Sequence, residues 1–215
     1  MIRDPSPCEQ RSGRSGWTSH GDRAERSGNM VEVPQTPATN SGDTFAPRAA
    51  VAVVHALGPQ ESVLLIRRAS RSDDPWSGQW SFPGGRRDPQ DVDLLDTARR
   101  ELQEECALAL SREQCLRALK VTHAGRSSGR LVAVAPYLFQ VEEPLATTVD
   151  QREAESATWL PLSVLHDPSQ HQIHTGPGVP PGMRVPGIAL DGVPLWGFTY
   201  RVLCSWLGIA VGNPV

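Results

Sequence analysis

The chain has 215 residues, a formal net charge of −3 at pH 7, and 19 glycines and 19 prolines. This length suits one domain with some surplus, or two small domains. Because the charges form no acidic or basic block, the composition argues against a general attraction to nucleic acid or to a membrane surface, and we expect neither partner. The apolar runs at 49–54 and 131–139 fall far short of the roughly 20 residues of a membrane-spanning helix.

Residues 1–46 differ in composition from the rest of the chain. Ser, Gly, Arg and Pro dominate them, as in RSGRSG at 11–16, and large apolar side chains are few. Such a segment cannot bury enough surface to offset the entropy of ordering it. We therefore predict a disordered tail over 1–46, followed by a folded domain over 47–210. Translation that starts at Met30 is an alternative explanation for the residues before it.

The cysteine spacing and the polar N-terminus indicate in which cellular compartment the protein is expected. Cys8, Cys106, Cys115 and Cys204 fit neither the spacing of a zinc site nor a disulfide framework. The sequence does not begin with the apolar segment that is typical of a secretory signal. We therefore expect free thiols and a cytoplasmic protein.

The first half of the predicted domain contains strands, a loop and a helix. Apolar runs at 49–57 and 62–66 predict two strands, residues 68–79 predict a loop, and a short strand at 80–82 follows. The residues at 93–106 predict a helix, since their apolar members recur at helical spacing on one face.

The second half continues the mixture of strands and helices. Its segments predict, in chain order, strands at 116–123, 131–141 and 155–160, a helical turn after Pro161, a long loop at 166–185 and an amphipathic helix at 195–208. This mixture indicates an α/β domain.

Three carboxylates on the predicted helix are candidates for metal binding. Glu101, Glu104 and Glu105 fall within a stripe of about 100° on the helix, where like charges repel one another. Clustered oxygen ligands suit a hard divalent cation such as Mg²⁺ or Mn²⁺. Gly84 and Gly85, which precede the helix, would let backbone N–H groups approach a diphosphate closely. A solvated acidic helix face is the alternative reading of the carboxylates.

The segment GGRRDPQDVDLLDTARRELQEECAL, at 84–108, resembles the Nudix box, G-x5-E-x7-R-E-U-x-E-E-x-G-U, where U is a bulky apolar residue. The closing part of the box matches from Arg100 to Leu108. The sequence departs from the pattern in three ways: Asp91 replaces the early Glu, one residue is inserted before Arg100, and Ala107 replaces the late Gly. We interpret Asp91 as a residue at the start of the helix, where it or Asp93 can act as a cap, and not as a metal ligand.

The resemblance extends over roughly residues 47–208 and implies both a fold and a set of site residues. The implied fold is an α/β/α sandwich with a mixed central β-sheet. The metal, Mg²⁺ or Mn²⁺, would be held by Glu101, Glu104 and Glu105, with Glu101 and Glu105 also counted as catalytic. Arg100 would orient a glutamate through a bidentate ion pair. Glu153 is a further catalytic candidate, as a general base or an outer metal ligand.

The residues before the box are similar to the coenzyme A diphosphatase branch of the family. In LLIRRASRSDDPWSGQWSFPGGRRDP, at 64–89, the matching positions are Arg67 or Arg68, Gly78, and 82–85. This similarity implies hydrolysis of coenzyme A or acyl-coenzyme A to 3′,5′-ADP and (acyl-)phosphopantetheine. The substrate-binding candidates are Arg67, Arg68, Phe82, Gly84 and Gly85. Because side chains alternate along a strand, we expect only one of the two arginines to point into the site.

Two other functions stay open. One is a diphosphatase for ADP-ribose, dinucleotides or oxidised nucleoside triphosphates. The other is a non-catalytic Nudix-fold module that senses a nucleotide, although such modules usually lose glutamates of the box, and this sequence keeps three.

Overall fold

The computed structural model describes residues 46–71, 76–125, 129 and 131–210. Apart from Ala46, the predicted disordered tail therefore lies outside the described residues. None of the helices in the described part is long and apolar enough to cross a membrane.

The main sheet has eight strands within the described residues, and its central pair is parallel. Strand β1 (Ala49–Ala56) runs parallel to β7 (Val132–Val141) and antiparallel to β2 (Ser62–Arg68). The first residues of β1 also pair with β4 (Gly84–Arg86). The other strands of this sheet are β3 (Trp80–Ser81), β5 (Cys115–Ala118), β6 (Thr122–Ala124) and β8 (Ala154–Pro161).

Helices cover both faces of this sheet because β1 is apolar on both of its faces. Ala52 and Val54 belong to the core under helix α1 (Leu94–Cys106), whereas Val51 and Val53 belong to the core under helix α3 (Gly197–Leu207). Continuous apolar runs of this kind are typical of strands that are buried on both sides. The prediction of an α/β/α sandwich with a mixed sheet is confirmed.

Helix α1 begins and ends at two specific caps. The Asp93 side chain accepts a hydrogen bond of 2.9 Å from the backbone N–H of Asp96, so Asp93 is the N-cap. Ala107 terminates the helix in the left-handed conformation, with φ of 56°, and its N–H donates to the Gln103 carbonyl. This conformation favours glycine, the residue that the Nudix box has at this position.

The predicted strand at 116–123 is wrong in one respect, because the structure contains two strands there. Strands β5 and β6 both pair with β7, and residues 119–121 between them leave the ladder. The Leu119 N–H still donates to the Pro136 carbonyl at 2.8 Å. The apolar pattern does not register such a break, since Leu119 and Val121 still pack against the core.

The predicted loop at 166–185 and the predicted helix at 195–208 also need correction. Helix α2 (Leu162–His166) is followed by the short strand β9 (Gln172–His174), which pairs with β10 (Val185–Leu190). Strand β11 (Val193–Trp196) completes this second, three-stranded sheet and takes the first residues assigned to the helix. β9 is short and polar, so it carries too little apolar alternation to be recognised.

Candidate active site

The three glutamates of α1 lie at different depths. Glu105 is only 3% exposed, the Glu101 side chain is mostly buried, and the Glu104 side chain is 56% exposed. Oε2 of Glu105 accepts a hydrogen bond of 2.8 Å from the Gly84 N–H. Burial, followed by the negative charge of Glu101, raises the pKa of Glu105 to about 8. The helix therefore presents one deeply buried carboxylate, with two more beside it at increasing exposure.

Gly84 and Gly85 allow the chain to run close to both β1 and α1. A Cβ on Gly84 would lie 2.4 Å from the Ala50 carbonyl oxygen, and a Cβ on Gly85 would lie 2.3 Å from Oε1 of Glu101. Gly84 has no room for a side chain, and a side chain at Gly85 would displace the Glu101 carboxylate. We expected the backbone N–H groups of the two glycines to face a diphosphate. This expectation is wrong for Gly84, because its N–H donates to Glu105 instead.

Arg100 connects the loop before α1 to two of the glutamates. Its Nε and Nη2 donate to the two carboxylate oxygens of Asp91 at 3.0 and 3.1 Å. Its Nη1 donates to Oε1 of Glu101 at 3.0 Å and to Oε2 of Glu104 at 2.8 Å. The bidentate partner of Arg100 is thus Asp91, which corrects the expected bidentate pairing with a glutamate.

Asp91 is buried and hydrogen-bonded through both carboxylate oxygens, a role that sequence reasoning missed. It also accepts hydrogen bonds from the Thr97 hydroxyl at 2.8 Å and from the Asp88 N–H at 2.9 Å. Hydrogen bonding to Arg100 is the main cause that lowers the pKa of Asp91 to about 2. The sequence feature that points to this role is the position of Asp91 in the motif, where it replaces the early Glu.

Only one of the two strand-end arginines reaches the site. Nε of Arg67 forms an ion pair with Glu155 at 3.2 Å, and Arg67 does not line the cleft described below. Arg68 does line it, and the charge of Arg68 acts to lower the pKa of Glu105. The alternation expected along β2 therefore places Arg68, and not Arg67, beside the carboxylates.

Glu153 lies in the exposed turn that precedes β8. Its carbonyl accepts a hydrogen bond of 3.0 Å from the Ala69 N–H, which fixes the turn next to the end of β2. The negative charge of Glu153 contributes to raising the pKa of both Glu101 and Glu105. Glu153 therefore lies within electrostatic reach of the glutamates, while its catalytic role stays a prediction.

A cleft of about 780 Å³ opens beside the two glycines. Strands β1, β4, β6 and β7 contribute to its floor. One wall is formed by Met183 and Arg184, which precede β10, by Trp196 at the end of β11, and by Phe198 and Arg201 of α3. Of the predicted substrate-binding residues, Arg68, Phe82, Gly84 and Gly85 line it, although Phe82 is only 2% exposed. Sequence reasoning missed the wall, because only the tertiary fold brings residues 183–201 to this site.

The carboxylates of Glu101, Glu104 and Glu105 are suitable ligands for a cation that prefers oxygen, although Glu101 and Glu104 here accept hydrogen bonds from Arg100. Within the described part of the chain, no group of three or more His, Cys, Asp or Glu side chains is already placed to hold a metal ion. Glu101 and Glu104 turn one oxygen each toward Arg100. Burial leaves Glu105 with an unfavourable negative charge, which a divalent cation would offset.

The NUDIX domain matches residues 46–177, which is more than half of the chain, and the chain therefore belongs to the Nudix family. It is 39% identical over 77 residues to the uncharacterized Nudix hydrolase NudL of Yersinia enterocolitica, covering 36% of this chain and 39% of that protein. It is 33% identical over 107 residues to the uncharacterized protein C14C4.10c of Schizosaccharomyces pombe, covering 48% of this chain and 32% of that one. The matches thus span less than half the length of these relatives.

Solved structures of the family are also similar. The Nudix hydrolase RenU of M. smegmatis is 24% identical with a TM-score of 0.44, over 57% of this chain and 76% of that one. A MutT/nudix family protein from Enterococcus faecalis is 16% identical with a TM-score of 0.49, over 78% of this chain and 63% of that one.

Proposed function

We propose that this chain is a Nudix hydrolase that cleaves the diphosphate bond of coenzyme A or acyl-coenzyme A to 3′,5′-ADP and (acyl-)phosphopantetheine. The observation that carries the proposal is the position of the box glutamates. Glu105 is buried against Gly84, Glu101 lies against Gly85, and both glycines line a cleft large enough for a nucleotide.

Glu101, Glu104 and Glu105 would hold Mg²⁺ or Mn²⁺. When bound, such a cation neutralises charge on the diphosphate and acidifies a water molecule. Arg100 positions Glu101 and Glu104 through its Nη1, and Asp91 in turn fixes the plane of the Arg100 guanidinium. Arg68 supplies positive charge for the phosphates on the cleft side of the glycines.

The coenzyme A substrate is supported by the pattern at 64–89 and by the cleft. Arg68, Phe82, Gly84 and Gly85, which belong to that pattern, all line the cleft. Its volume of about 780 Å³ lies in the range of sites that enclose a ligand of this size class. ADP-ribose, dinucleotides or oxidised nucleoside triphosphates are the second candidate substrates, since a metal held by the glutamates would serve any diphosphate.

A substrate panel tests this proposal. Purified protein with Mg²⁺ or Mn²⁺ is incubated with coenzyme A, acetyl-coenzyme A, ADP-ribose, NADH, diadenosine polyphosphates and 8-oxo-dGTP, and the products are resolved by liquid chromatography and mass spectrometry. We expect 3′,5′-ADP from coenzyme A at a rate well above that for the other compounds. Faster turnover of another compound would overturn the coenzyme A assignment and keep the hydrolase.

Glu105→Gln serves as the matched inactive variant, because it preserves shape and removes the charge. It should abolish turnover of the preferred substrate. Nucleotide binding without turnover in the unchanged protein would instead favour the sensor function.

A further inference from the structure

Strand β8 contains a β-bulge next to the end of β2. Arg67 of β2 pairs with Ser156 of β8. The next residue of β2, Arg68, pairs with Ala154 and not with Glu155. Glu155 is therefore the extra residue on β8, and a bulge of this kind redirects the side chains beside it.

The bulge turns the start of β8 toward helix α1. Ala154 and Leu160 are an even number of positions apart, so in a regular strand both would face the same side of the sheet. Leu160 instead belongs to the core under α3, whereas Ala154 belongs to the core under α1. Glu153 immediately precedes Ala154, and its negative charge acts on both Glu101 and Glu105.

Two groups from the end of β2 hold the carboxylate of Glu155. Nε of Arg67 lies 3.2 Å from Oε2, and the Ser70 hydroxyl donates to Oε1 at 2.7 Å. The Arg67 contact lacks the alignment of a hydrogen bond, so the attraction between the two charges carries it. Between these two residues, the Ala69 N–H donates to the Glu153 carbonyl at 3.0 Å. The chain around Glu153 is thus attached to β2 at three successive points.

The ion pair of Arg67 and Glu155 lies outside the cleft, because neither residue lines it. The Arg67 side chain is 33% exposed and the Glu155 side chain is 37% exposed. An ion pair as accessible to solvent as this contributes little to the stability of a whole domain. Its effect should therefore be local, on the turn that it holds.

We propose that Arg67 and Glu155 are positioning residues, whose ion pair holds the bulge of β8 and keeps Glu153 in place for hydrolysis beside the glutamates of α1. The inference rests on the proposed function, because it gives Glu153 a part in the reaction. Arg67 then has a role other than the substrate contact expected from the sequence. The pair affects turnover only through Glu153, so a combination of variants tests the proposal.

Steady-state kinetics on the substrate that the panel identifies as fastest provide the first test. Arg67→Gln and Glu155→Gln should each lower kcat by about three- to tenfold and change KM by less than about twofold. In a Glu153→Gln background, Arg67→Gln should lower kcat no further, because the group that Arg67 positions is already absent. Arg67→Lys keeps the charge and should restore most of the kcat.

Arg117→Gln is the control, because Arg117 is exposed on β5 and does not line the cleft. It should leave kcat unchanged. Equal effects of Arg67→Gln with and without Glu153 would overturn the positioning role, because Arg67 would then act independently of Glu153. An unchanged kcat in Glu153→Gln, or in both Arg67→Gln and Glu155→Gln, would overturn it as well.

Hydrogen exchange followed by NMR separates this inference from the proposed function, because it needs no turnover. In Arg67→Gln and Glu155→Gln we expect the Ala69 amide, which donates to Glu153, to exchange at least about threefold faster. The Gly84 amide, which donates to Glu105, should keep its rate. Equal acceleration at both amides, or none at Ala69, would overturn the inference. The local change in a protein that hydrolyses no diphosphate would overturn the proposed function and still support the pair as the contact that holds the turn.

Discussion

Arg100 and Asp91 form a two-bond ion pair, with Nε–Oδ1 at 3.0 Å and Nη2–Oδ2 at 3.1 Å, and the Asp91 side chain is almost completely buried. The pair joins the loop before α1 to the glutamates of the helix. A residue outside the carboxylate cluster thus determines the orientation of the arginine that contacts Glu101 and Glu104.

Asp91→Asn should make the protein less stable near neutral pH by about 1–2 kcal/mol. The pKa of Asp91 is about 2 in the folded protein, against 3.8 as its ordinary value. The contribution of Asp91 is therefore fully present above about pH 4 and is lost as the pH falls toward 2. Urea unfolding at several pH values measures it. Glu143→Gln, at an exposed position, is the control, and equal acid sensitivity of both variants would contradict the prediction.

Ala107→Gly should raise the free energy of unfolding by about 0.5–1 kcal/mol. Ala107 has φ of 56°, a conformation in which glycine avoids the clash of Cβ. Ala109→Gly is the matched control, since Ala109 is exposed and does not have a positive φ; there glycine should be neutral or destabilising. Denaturant midpoints of the unchanged protein and of the two variants measure these differences in stability. A loss of stability in Ala107→Gly would show that the helix end tolerates alanine without strain.

Gly84→Ala and Gly85→Ala should fail in different ways. A Cβ at Gly84 meets the backbone of Ala50 and Val51, which cannot move aside cheaply, so we expect a loss of several kcal/mol in stability. A Cβ at Gly85 meets the end of the Glu101 side chain, which can rotate away. Gly85→Ala should therefore keep most of its stability and lose at least about tenfold in kcat. Thermal unfolding and turnover are measured on both variants. Equal losses of stability in Gly84→Ala and Gly85→Ala would contradict this prediction.

Mn²⁺ should stabilise the protein against heat, and EDTA should reverse the effect. Because burial raises the pKa of Glu105 to about 8, its folded form holds a proton that the unfolded chain releases near pH 4.5. Metal-free stability should accordingly fall as the pH rises from about 4.5 to 8. Glu105→Gln should flatten that decline and reduce the shift in Tm caused by Mn²⁺. An unchanged Mn²⁺ shift in the variant would exclude Glu105 as a ligand.

The parts of the fold that could be predicted are those with a strong local pattern. Helix α1 and strands β1, β2, β7 and β8 follow from apolar periodicity, and the box glutamates follow from their motif. The Asp91–Arg100 pair could not be predicted, because Asp91 lies before the N-cap of α1, where helical spacing does not determine the direction of its side chain. The cleft wall could not be predicted either, since it depends on how the second sheet and α3 pack against the main sheet.

The pairing of β1 has a consequence for how the site assembles. Residues 49–51 pair on one side with β4, which carries both glycines, and on the other side with the start of β7. Because β1 and β7 lie far apart in the sequence, this central pairing requires a large loop to close. Within the part of the chain that the structure describes, β4 pairs with no strand other than β1. We therefore expect the site to form and be lost together with the whole domain, in one cooperative step, and not to open as a separate unit.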